Sequence, residues 1–140
     1  RMLLLTMEYG FCDDSIVGLT AAGCAVLHFA NDVQFASHLG KVSKSLIEES
    51  PKKHALRSRL CSELVTLMIT EPIASALPLL SESYHSSILT GDVEKAMNCR
   101  WLYGAVMYWN GSSDLFTIMN HFVACAKEAT KYRQYTALNF

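Results

Sequence analysis

Residues 71–115 read EPIASALPLLSESYHSSILTGDVEKAMNCRWLYGAVMYWNGSSDL, punctuated as helix, Gly-Asp turn, helix, Gly-containing turn and the start of a third helix. Glu71 and Pro72 open the first helix, because proline is tolerated at a first helical position, where its missing N–H has no partner anyway. Pro78 falls inside, which predicts a kink there or a restart with Pro78 in the new first turn. Gly91 closes this helix and Asp92 caps the next, expected over 93–109. One stripe of that helix is Val93, Ala96, Met97, Gly104 and Met107; a second is Trp101, Leu102, Ala105 and Trp109. A lone surface helix needs one apolar stripe, so two predict burial between neighbours on both sides, as in a stacked solenoid. Gly111 breaks the helix, and Ser112, Ser113 and Asp114 offer caps. Leu115, Ile118, Met119, Phe122, Ala126 and Ala129 then carry the clearest 3–4 spacing in the chain.

Upstream, residues 2–9 read as a helix closed by Gly10, the residue type that most easily takes the left-handed conformation at a C-cap. Asp13, Asp14 and Ser15 are N-cap types for a helix over about 15–29. There Gly18, Ala21, Ala22, Gly23, Cys24 and Ala25 admit a close neighbour, while Ile16, Leu19, Val26 and Leu27 form the opposite stripe. Asn31 and Asp32 make a turn and cap before a helix over 33–49 with Phe35, Ala36, Leu39, Val42, Leu46 and Ile47 on its apolar face. Ser50 and Pro51 end it, since the residue before a proline is pushed out of the helical region. Lys52, Lys53, His54, Arg57 and Arg59 then start a helix whose apolar face is Leu56, Leu60, Leu64, Leu67 and Met68. That basic cluster is either a solvated face or a site for an acidic or phosphate-bearing partner. Past Lys131 the segment YRQYTALNF approaches a next unit.

The expected architecture is all-α. About seven helices form antiparallel hairpins over about 15–49, 53–90 and 92–131, recurring roughly every 40 residues and stacked as a tetratricopeptide-like alpha-solenoid. The whole of 1–140 reads as one helical-repeat module. An opening on Arg1 rather than Met suggests a fragment of a longer multidomain protein.

Composition narrows the function classes. Half of the residues (51%) are hydrophobic and only 18% charged, so the surfaces expect neighbours. Twelve Lys and Arg balance thirteen Asp and Glu, giving no field that would draw nucleic acid or an anionic membrane. The longest apolar run, 16–30, falls short of the roughly 20 residues of a membrane span. Five cysteines without a CxxC read as reduced, buried thiols, hence a cytoplasmic compartment.

The chemistry-bearing residues are few. His121 and Cys125 lie four apart on one helix face, a spacing at which two side chains can share a metal, but they supply only two ligands. A packed thiol beside an imidazole explains them without metal. GxSxG, GxGxxG and a Gly-rich loop ahead of Lys and Ser or Thr are absent from the sequence. Glu71 with Glu82, or Asp92 with Glu94, read as caps and solvated helix surface rather than acid–base pairs. Catalytic, cofactor-binding and metal residues are therefore all assigned as none. The most distinctive composition is the aromatic group Trp101, Tyr103, Tyr108 and Trp109, which reads as core, as an interface with a neighbouring repeat or partner protein, or as a ligand pocket. The remaining assigned positions, Gly10, Asp32, Pro72, Gly91, Asp92 and Gly111, are turns and caps.

Residues 71–115 resemble a recurrent segment of very large microbial signalling proteins. These join a serine/threonine-kinase-like domain, an AAA-type (STAND-like) ATPase, a tetratricopeptide-like helical region, a GAF sensor and a histidine kinase or other output domain. The resemblance is carried by Glu71 and Pro72, by Gly91, Asp92, Glu94 and Ala96, by the aromatic helix, and by Gly111 ahead of Leu115. Glu8, Tyr9 and Gly10 before a small-residue helix extend it upstream. The spacing from Gly111 to Leu115 is about one residue longer than in that pattern. The resemblance implies a non-catalytic helical scaffold coupling an ATPase switch to sensor or output domains, with ATP bound elsewhere in the parent protein. Two rivals remain open: a free-standing peptide-binding adaptor of tetratricopeptide type, and a small all-helical enzyme using His121 and Cys125.

Overall fold

The computed structural model describes residues 2–111 and 113–134, with side chains from Leu4 onward. The Ser112 cap and the approach to a further unit over 135–140 lie outside the described residues. Among the described residues the chain is all-helical, without a strand: α1 (Met2–Tyr9), α2 (Asp13–Ala25) running into a π turn (Val26–Ala30), α3 (Val33–Glu49), α4 (Lys53–Leu67), a 3-10 turn (Ile73–Ser75), α5 (Ala76–Thr90), α6 (Val93–Asn110) and α7 (Leu115–Lys131). None of these helices is long and apolar enough to cross a membrane. The chain divides into two compact units, Arg1–Glu71 and Pro72–Phe140, and the division falls inside the hairpin expected over 53–90.

In the first unit α2 and α3 pair, and α4 packs on both. The pairing depends on small residues facing one large one. A methyl placed on Gly40 would lie 2.6 Å from Leu67 Cβ, and one on Gly23 would lie 3.0 Å from Leu67 Cδ1. Leu67 thus fills the space that two glycines leave, and it joins Ile16, Ala36, Ile47, Leu56, Leu60 and Leu64 in a buried core.

Three local expectations change. Cys12, not an Asp or Ser, caps α2, and Ser15 takes the third helical position, where its hydroxyl accepts the Cys12 N–H at 3.1 Å. The second helix widens into a π turn at Val26, and Asn31 ends it in the left-handed region with φ 53°. Phe35, expected on the apolar face, is 50% exposed.

The basic cluster finds much of its complement within its own unit. Lys52 reaches Asp13 at 3.2 Å, Arg59 reaches Asp14 at 3.9 Å, and Arg57 pairs with Glu48. The Ser50 hydroxyl also donates to Asp13 at 2.7 Å. This hydroxyl, with Lys52 behind it, holds the Asp13 carboxyl below the usual range, and Arg57 does the same for Glu48. A carboxylate with a depressed folded pKa stabilises the fold above its unfolded value of about 4, and the contribution disappears as pH falls through the folded value. The urea midpoint is therefore expected to drop as pH is lowered below about 4. The double variant Asp13→Asn, Glu48→Gln is expected to flatten that slope. Because the pairs lie in solvent, the effect is small.

The second unit is built on α6, which packs on α5 and on α7, with α5 and α6 in the most extensive contact. Ser83, Ser86 and Ser87 of α5 and Ala96, Met97 and Ala105 of α6 are buried, and Ala96 and Met97 form a core cluster with Ala129 of α7. Pro72 is not at a first helical position: with φ −55° and ψ 136° it is extended and precedes the 3-10 turn. The helix proper restarts at Ala76, so Pro78 falls in its first turn, where a missing N–H costs nothing. Gly10, Gly91 and Gly111 follow the ends of α1, α5 and α6 with φ of 97°, 76° and 64°. Asp32, Asp92 and Asp114 accept the N–H groups of Phe35, Lys95 and Thr117 at 3.0, 3.1 and 2.9 Å.

Candidate functional site

The four aromatic residues of α6 divide into two pairs. Trp101 and Tyr103 are half-buried and turn toward α7, Trp101 against Phe122 (centroids 6.5 Å apart) and Tyr103 against His121 (5.5 Å). Tyr108 and Trp109 remain 59% and 62% exposed at the end of α6 that leads into the Gly111 turn. Trp109 therefore does not belong to a buried stripe with Trp101 and Ala105. In its place Cys99 and Val106, which neither expected stripe contained, are buried. The close approach of α6 to α7 occurs at Gly104, where a methyl would lie 2.7 Å from His121 Cδ2 and 2.9 Å from Phe122 Cζ.

The regular spacing on α7 also splits. Ile118, Cys125 and Ala129 are buried, whereas Leu115, Phe116, Met119 and Val123 are 72%, 68%, 53% and 47% exposed. At 3.6 residues per turn these four side chains occupy an arc of roughly 100°. Leu115 and Met119, which the sequence spacing grouped with Ile118 and Ala129, belong to this second stripe. The signal for it was present in the sequence, since 115, 119 and 123 run parallel to 118, 122, 125 and 129 on the same helix.

A polar cluster locks the other face of α7 to α5 and α6. The Tyr84 hydroxyl donates to Glu128 Oε1 at 2.8 Å, Arg100 pairs with Glu128 Oε2, and the Arg100 guanidinium lies 5.7 Å from the centre of the Tyr84 ring. His121 Nε2 is 2.8 Å from the Arg100 carbonyl. Burial, followed by the Glu128 carboxylate, pushes the Tyr84 phenol up and keeps it protonated as a donor. Beside the cluster is a shallow depression of about 160 Å³ whose walls include Leu80, Tyr84, Cys99, Tyr103 and His121. Glu128 is engaged by two donors and His121 by a backbone carbonyl, so the acid and the imidazole both act as struts between helices.

The structure directs the remaining sequence candidates into packing and capping. Cys125 is buried, and burial pushes its thiol up, away from a nucleophilic thiolate. No group of three or more His, Cys, Asp or Glu that could hold a metal ion occurs among the described residues. Glu71 lies 4.0 Å from Lys41, and Asp92 caps α6. Comparison with family models, curated proteins and solved structures finds no match to this chain.

One thiol differs from the others. Cys12 is exposed at the N-terminus of α2, on a groove of about 270 Å³ shared with Leu5, Tyr9 and Phe11, and hydrogen bonds from Ser15 hold its thiol below the ordinary range. Burial raises the Cys24 and Cys125 thiols instead. Cys12 is therefore expected to be alkylated first when the native protein is titrated with iodoacetamide, as read by peptide mass mapping.

Proposed function

We propose that this chain is a non-catalytic helical scaffold and interaction segment of a multidomain signalling ATPase or protein kinase, coupling an ATPase switch to sensor or output domains. The observation that carries its interaction role is the α7 stripe of Leu115, Phe116, Met119 and Val123, left in solvent. Apolar side chains concentrated on one face of a helix gain free energy when another surface covers them, at roughly 25 cal/mol per Å² removed from water. The spacing at 115, 119 and 123 fits ridges-into-grooves packing with a further helix. On α1, Leu4, Met7 and Tyr9 are similarly exposed, so each unit presents an apolar helical surface. A stack of tetratricopeptide-like hairpins is compatible with these surfaces, and its neighbours would be helices of the same chain or of a protein partner.

The parent's class rests on the resemblance carried by Glu71, Pro72, Gly91, Asp92, Glu94, Ala96, Gly111 and Leu115. In that class the ATP site and the kinase residues lie in other domains. A photo-crosslinking residue in place of Met119, in the protein as expressed in its own cells, tests the interaction role. Crosslinks to a helical protein segment are expected, and an absence of protein crosslinks would overturn it. The complete reading frame separates the scaffold from a free-standing adaptor: a GxxxxGK[ST] loop, or an HRD and DFG pair, upstream supports the former.

A further inference from the structure

We draw no further inference here: the strongest candidate, the groove of about 270 Å³ between the end of α1 and the start of α2 on which the exposed Cys12 lies, rests on a lone cysteine at a helix N-terminus, and nothing in the structure shows what ligand would occupy it.

Discussion

Replacing Leu67 by alanine is expected to lower the stability of the Arg1–Glu71 unit by about 3 kcal/mol, in the range of buried leucine truncations that leave a cavity. Leu67 is 1% exposed, and its side chain occupies the space opened by Gly23 and Gly40. Neither glycine carries a side chain that could move into the void, so collapse must involve the backbones of α2 and α3. That places the cost toward the larger side of the range. Urea unfolding followed by far-ultraviolet circular dichroism measures it. A loss below about 1 kcal/mol would mean that the three helices close over the cavity freely.

Replacing Arg100 by alanine is expected to lower the stability of the Pro72–Phe140 unit by about 2 kcal/mol, because Glu128 then keeps only the Tyr84 hydroxyl while remaining largely out of water. The Arg100 and Glu128 side chains are 29% and 20% exposed, which puts the pair between a surface bridge and a buried one. Exchanging both partners, as Arg100→Met with Glu128→Leu, should recover most of the loss, since the uncompensated charge is gone. Trp101 and Trp109, the two tryptophans of the chain, both lie in this unit, so their fluorescence reports its unfolding. Equal losses in the single and double variants would show that packing of the arginine stem, rather than the charge, holds the three helices together.

Helix positions were legible because their signals are local. Gly10, Gly91 and Gly111 stop helices through a backbone preference, and Asp32, Asp92 and Asp114 start them with a side chain three residues from its donor. Pro72 and Pro78 were half-legible, since sequence offered a kink or a restart and the 3-10 turn at Ile73–Ser75 is what separates them. Burial was harder to read, because periodicity marks an apolar face without saying whether anything covers it. On α6 the buried face includes Cys99 and Val106, while Trp109 stays in solvent. On α7 two apolar faces overlap, and only packing against Gly104 shows which one is inward. The Tyr84–Arg100–Glu128 cluster could not be read at all, since its members are 16 and 28 residues apart along the chain and each alone looks like surface.

Hydroxyl-radical footprinting of Met119 and Phe116, comparing the complete protein in its assembled form with the urea-unfolded chain, is the most direct test of the proposal that the outer face of α7 is an interface. The account predicts that both residues are protected several-fold beyond what their 53% and 68% exposure in the single chain would give. Oxidation at the rate that exposure alone dictates would contradict it.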